Sequence, residues 1–460
     1  MNFRKFIGDK AFYRMVLALA VPVMIQNGIT NFVGLLDNIM VGQIGTEQMS
    51  GVAIANQLLF VFNLCNFGGM AGAGIFGAQF YGKGNDEGVG NVLRIKLWIA
   101  LLLSLIAAAV FTFWGEPLIR LFLHEGSETG DLALTLAYGM EYLSLMRLLL
   151  FPFALVQAYA STLRETGKTK PPMRAGVVAV LINLVLNYLL IFGKLGFPAL
   201  GITGAAIATI VSRLVEAAIV IRWTHRYPEL NRFAVGLYRT LRVPRRLLLQ
   251  VVKRGAPLLI NETLWSSGMA ILSQCYSLRG LAVVAAVNIA STITQVFNIV
   301  FMSLGSSIGI IVGNLLGANK MAEARDADNK LIAFSVASCL LFGTLMALIA
   351  PLFPQLYNTT GEVRFLAGRF ILISAAIMPF HAFTHASYFT LRSGGKTLLT
   401  FVYDSGFVWA VCVPLAFVLS RFTSLPIIPV YAICQSVEIL KCILGYRFVK
   451  SDIWMQNIVC

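Results

Sequence analysis

Seven polar or ionisable residues interrupt apolar runs long enough to cross a bilayer: Asp37, Asn183, Asn187, Glu262, His381, His385 and Asp404. A charge in the bilayer core costs at least ~2.5–3.5 kcal/mol on insertion scales, so it usually marks a function. Glu262 lies eight residues past Arg254, His385 seven before Arg392, and Asp404 eight past Lys396. At about 1.5 Å per residue, all three sit about 10–12 Å from the basic ends of their helices. His381 lies one turn from His385, on the same face. An acid and two histidines at matched depth suit a proton relay. Imidazole titrates near about pH 6.5, and a desolvated Glu can be raised toward neutral pH. The alternative is a static buried ion pair, Glu262 with His385 or with a Lys. Asp37 lies about 35 Å along its helix from Arg14, toward the far end of the first span. Asn27, Asn31, Gly34 and Asn38 follow a three-four spacing beside it, and Asn183 and Asn187 share one face of a later helix. The bland reading of Asp37 is an interfacial acid that caps a helix end in water. Arg213 and Glu216, three apart, read as an ion pair facing the interior. Glu141 and Arg147 do not share a face, and nothing names a partner for Arg147. His124 and His225 read as solvated.

The elements that carry these residues follow from composition. Of 460 residues, 58% are hydrophobic and only 12% charged, with a net charge of +15. Soluble domains carry about 25% charged residues, so the bilayer must be the solvent. Twelve helical spans follow, at about 14–39, 52–80, 91–115, 132–158, 172–193, 201–222, 255–278, 284–316, 329–353, 364–390, 398–420 and 426–448. With the N-terminus inside, the exterior holds only Arg120, Lys194, Arg279, Arg364, Arg369 and Arg421, and almost all other Lys and Arg lie inside, Lys96 and Lys441 among them. This bias places both termini in the cytoplasm.

The chain also repeats itself. At a constant offset Pro22 matches Pro257, Ala55 matches Ala290, Phe62-Asn63 matches Phe297-Asn298, Gly74-Ile75 matches Gly309-Ile310, Gln79 matches Asn314, and Gly82 matches Gly317. Further on, the segment from Thr162 to Thr169 matches that from Thr390 to Thr397. The reading is an all-α polytopic membrane protein with twelve transmembrane helices in two six-helix lobes, 1–222 and 251–460. Six spans per half is an even number, so the repeats run in the same direction. A basic cytoplasmic linker, 223–250, joins them and lies on the membrane surface. Duplicated polytopic proteins are most often transporters. None of the seven cysteines forms a Cys-x-x-Cys pair, so they read as small buried hydrophobes.

Several local motifs, in order, resemble the multidrug and toxic compound extrusion (MATE) family. They are Leu36-Asp37-Asn38-Ile39-Met40-Val41-Gly42, Gly77-Ala78-Gln79-Phe80-Tyr81-Gly82, the Thr162–Thr169 segment, and Gly204-Ala205-Ala206-Ile207-Ala208-Thr209. The resemblance covers essentially the whole chain and rests on the order and spacing of the motifs. It implies export of organic, often cationic, compounds driven by inward flow of protons or sodium ions, and a V-shaped pair of lobes around a central cleft. It also implies that Asp37, Asn183 and Asn187 form the cation-coupling site of the N-terminal lobe. Glu262, His381, His385 and Asp404 are the candidates in the C-terminal lobe. The sequence departs here from the sodium-coupled branch, which has a span-seven Glu where this chain has Trp265 and a span-ten acid near His381. A His in place of an acid favours H+ over Na+, since hard cations want oxygen ligands.

Aromatic and Met residues line many spans, and Asn31, Trp265 and Met269 are the candidates for a substrate cavity suited to bulky organic cations. Pro22 and Pro257 are places where a helix can bend. The rival reading is a flippase for a lipid-linked saccharide, which would need a cleft rich in Arg and Lys; only Arg147 and Arg213 lie within spans. A membrane enzyme would cluster His and Asp in one half only, which the repeat disfavours. No Gly-x-x-x-x-Gly-Lys-Ser/Thr loop encodes ATP drive. The expected partners are a small organic substrate and the lipid bilayer, with no nucleic acid, no cofactor and no metal, in a monomer. The expected location is a bacterial inner (plasma) membrane.

Overall fold

The computed structural model describes residues 6–123 and 131–459, without the side chains of Val33, Leu35, Asn38 and Thr46. His124, Cys460 and the Asn38 side chain of the polar stripe therefore lie outside the described residues. The helices are α1 (Lys10–Gly42), α2 (Thr46–Gly82), α3 (Asp86–Phe113), α4 (Gly115–Arg120), α5 (Leu132–Met146), α6 (Leu150–Glu165), α7 (Lys170–Phe192) and α8 (Gly201–Arg226). They continue as α9 (Arg245–Ser277), α10 (Leu281–Gly317), α11 (Met321–Ile349), α12 (Gly361–Ser393), α13 (Thr397–Phe401), α14 (Val413–Phe422) and α15 (Ile427–Lys450). The described residues contain no strand. With α5–α6 and α13–α14 each taken as one span, eleven helices among the described residues are long and apolar enough to cross a membrane. The twelfth long helix is α9. Its apolar stretch is diluted by Asn261, Glu262, Thr263, Ser266, Ser267, Ser273 and Gln274.

Two spans are irregular where proline removes a backbone donor. A 3-10 turn, Arg147–Leu149, separates α5 from α6 just before Pro152. There Arg147 finds its partners, donating to Thr112 Oγ1 at 2.7 Å and to the Ser144 carbonyl at 3.2 Å. Two π-helical stretches, Val402–Gly406 and Val408–Cys412, join α13 to α14 ahead of Pro414. Such stretches are frequent at functional sites, and Asp404 lies in the first.

The chain forms two compact units. One comprises residues 25–77 and 86–250. In it α7 and α8 form an antiparallel pair whose turn uses Gly193 in the left-handed region, φ +63°, and α8 also packs on α5 and α6. Residues 227–244 fold back onto this unit. Asn231 is buried and donates to the Thr224 and Tyr227 carbonyls, while Arg94 donates to the carbonyls of Gly236 and Leu237. His225 is packed rather than solvated: it stacks on Tyr238 and lies 3.0 Å from the Tyr159 hydroxyl. The apolar Phe233, Ala234 and Leu237 draw the segment inward, which its basic composition hides.

The other unit comprises residues 1–24, 78–85 and 251–460. Here α12 packs between α10, α11 and α15, and Val16, Leu19 and Ala20 of α1 join the core. The repeat-related glycines serve a close approach. A Cβ on Gly82 would fall on the Asn314 carbonyl, and one on Gly317 would fall on that of Gln79. Backbone cannot yield as a flexible side chain can, so Gly317→Val is expected to abolish recovery of monodisperse protein in detergent. Gly361→Ala, at a position open on all sides, is expected to be recovered like wild type. Size-exclusion profiles of the two variants check this.

Candidate functional site

In the N-terminal half, α1 brings Asp37 against α7. Asn187 Nδ2 donates to Asp37 Oδ1 at 2.5 Å and to Asn183 Oδ1 at 3.3 Å. Asn183 Nδ2 donates onward to Thr209 Oγ1 of α8 at 3.3 Å, and Thr209 donates to the Ala205 carbonyl. Asn183 and Asn187 are both buried, and Asn187 Oδ1 has no hydrogen-bond partner among the described residues. A buried acceptor left without a donor is costly, so this oxygen is a place for a proton donor or a cation. Asp37 lines a cavity of about 330 Å³ together with Thr30, Asn56, Tyr142, Thr209 and Arg213. Arg213 is held by Glu216 at 2.6 Å. Neither Asn31 nor Trp265 nor Met269 lines this cavity; Asn31 and Met269 are exposed and Trp265 is half-buried.

In the C-terminal half, the sequence candidates split into three groups. Glu262 accepts from the Tyr388 hydroxyl at 3.4 Å. Asp404 is held on both oxygens, by Lys441 Nζ at 2.8 Å and by Asn261 Nδ2 at 3.0 Å. Asn261 Oδ1 in turn accepts from the Ser405 backbone and hydroxyl. His381 Nδ1 lies 3.4 Å from Glu438 Oε1, which also accepts from Thr384. His385 stacks on Tyr388 and meets Phe301 and Phe389 edge-on. Neither His385 nor a Lys has a described contact with Glu262. Lys441, counted from the sequence among the interior cations, lies within α15 and is buried. The described residues contain no group of three or more His, Cys, Asp or Glu side chains able to hold a metal ion.

The MatE family model matches residues 22–189 and again 257–420, one match in each half of the repeat. The chain belongs to the MatE family. It is 25% identical over 447 residues to the probable multidrug resistance protein YoeA of Bacillus subtilis, covering 95% of this chain and 94% of that one. It is 24% identical over 449 residues to the probable multidrug resistance protein NorM of Thermotoga maritima, covering 96% and 93%. A solved MATE in complex with MaL6 superposes with a TM-score of 0.85 at 19% identity, covering 97% of each chain, and shows the shared fold.

As a MATE member this chain is a multi-pass membrane transporter and not an enzyme, which orders its buried charges by task. The buried acids differ in whether a fixed cation stands beside them. Three buried or half-buried acids have a fixed cation beside them: Asp404 with Lys441, Glu216 with Arg213, and Glu165 with Lys96 at 2.6 Å. Among the described residues, Asp37 hydrogen-bonds to the Asn187 amide and Glu262 to the Tyr388 hydroxyl, both neutral. Tyr142, Glu438 and Lys441 complete the two sites and escaped the sequence reading. For Tyr142 no signal existed. For Glu438 and Lys441 the signal was an i,i+3 acid–base pair inside the last apolar span.

Proposed function

We propose that this MATE chain is a secondary-active antiporter that exports organic, cationic, drug-like compounds in exchange for protons by alternating access. Its cation-coupling residues are Asp37, Asn183 and Asn187 in the N-terminal half. Na+ is the alternative coupling ion. The chain works as a monomer in a bacterial plasma membrane with both termini in the cytoplasm, as the Lys and Arg distribution favours. Two curated relatives named multidrug resistance proteins support drug efflux. The observation that carries the coupling role is Asp37, an acid with an amide for its hydrogen-bond partner, beside an orphan acceptor and a cavity. A proton on this carboxyl neutralises it, and its loss restores the charge without breaking an ion pair.

The test is export of a fluorescent organic cation by wild-type proteoliposomes under a pH gradient alone and a sodium gradient alone. Export under the pH gradient and not the sodium gradient is the expected result. Export under sodium alone would replace the proton with Na+ at the same oxygen-rich site. No export of any tested cation under either gradient would overturn the antiporter reading.

A further inference from the structure

Two charges on α15, Glu438 and Lys441, take no part in the coupling site just proposed. Lys441 is only 8% exposed. Its ammonium lies 2.8 Å from Asp404 Oδ1 and 5.3 Å from the centre of the Tyr403 ring. Glu438 lies three residues before Lys441 on the same helix, so the two share a face. Asn261 holds the other Asp404 oxygen, and Glu438 accepts from Thr384. Glu438 also lies beside His381 of α12. A carboxylate oxygen in contact with a buried positive charge, with a second carboxylate one turn away, is a setting in which a hard cation could stand. Here the positive charge is covalently attached.

We propose that Lys441 is a tethered countercation that occupies the monovalent-cation position of the C-terminal half and closes Asp404 and Glu438 to Na+. The ammonium cancels Asp404, so one carboxylate, Glu438, remains to be balanced. His381 Nδ1 lies 3.4 Å from it. This half therefore does not take up sodium. Removing the lysine charge turns the same oxygens into a sodium site.

The test reads binding and needs no transport, so it fails or succeeds independently of the antiporter reading. Full-length protein carrying Asp37→Asn, which removes any sodium response from the other half, is melted in about 100 mM NaCl or choline chloride. The parent is expected to melt at the same temperature in both salts. Lys441→Met in this background is expected to melt about 2–4 °C higher in sodium than in choline, and to lose that difference when Asp404→Asn is added. Lys441→Met/Glu438→Gln, which keeps the net charge of the parent, gives the same readout if the single variant is poorly recovered. A sodium-dependent shift in the parent that Glu438→Gln removes would overturn the proposal. So would a folded Lys441→Met variant, single or paired with Glu438→Gln, with equal melting in both salts.

Discussion

Asp37→Asn is expected to reduce gradient-driven export to the rate of protein-free vesicles while leaving folding intact. Asn has nearly the shape of Asp, and its amide can still face Asn187. What it loses is the ability to carry and release a charge. A driving ion moves a transport equilibrium only through its different affinity for the two states, and couplings of this kind are typically about 1–3 kcal/mol, or about 5–150-fold. Without the carboxylate there is no such difference to transmit, so the loss is of the whole coupling and not of a fraction. Asn187→Leu is expected to be milder. It removes the 2.5 Å donor and the orphan acceptor but leaves the titrating group, so export falls about tenfold and its dependence on internal pH shifts. Initial export rates at fixed outward drug gradient and varied pH gradient check both. Wild-type rates from Asp37→Asn would return this residue to the role of a helix-end acid.

The parts of the site that were legible in the sequence share a physical cause: a charge or amide in hydrocarbon has few bland explanations. Asp37, Asn183 and Asn187 could be placed by depth and face because a straight helix advances at a fixed rise, and in the structure they meet. The twelve long helices and the repeat were legible for the same reason, since apolar length and constant offset survive divergence at most positions. What was not legible was the pairing of Lys441 with Asp404 and of Glu438 with His381, each across two helices. Lys441 sits close to the basic end of the last span, where a count of loop charges absorbs it, and its partner Asp404 lies in the π-helical stretch of another span. Small residues in a span leave room for backbones to approach. At Gly82 that is so, but Gly74 and Gly77 make room for something else: the carboxylate of Glu165 lies where their Cβ atoms would be.

That carboxylate gives the second large effect. Lys96→Met is expected to cost about 3–5 kcal/mol of stability, the range found when one partner of a buried ion pair is removed. The Lys96 side chain is 0% exposed, and its three ammonium protons are matched by Ser161 Oγ at 3.0 Å, Thr162 Oγ1 at 3.1 Å and Glu165 at 2.6 Å. Methionine fills the space but leaves Glu165 without its ammonium, pressed against two glycines. Glu165→Gln fails from the other side by stranding the lysine. Lys96→Met/Glu165→Gln removes both charges and is expected to recover most of the loss, because a neutral amide needs no counterion. Thermal melts of the four proteins give the coupling directly as a double-mutant cycle. The decisive comparison is with Asp37. The double variant, once folded, is expected to export at near wild-type rate, although it lacks a buried acid in the same half of the molecule. A buried carboxylate whose countercharge is built into the protein holds helices together. One that hydrogen-bonds to an amide can change its charge without breaking an ion pair, and on the function proposed above it is this kind that couples the ion to transport. Loss of export in a well-folded Lys96→Met/Glu165→Gln protein would break that distinction.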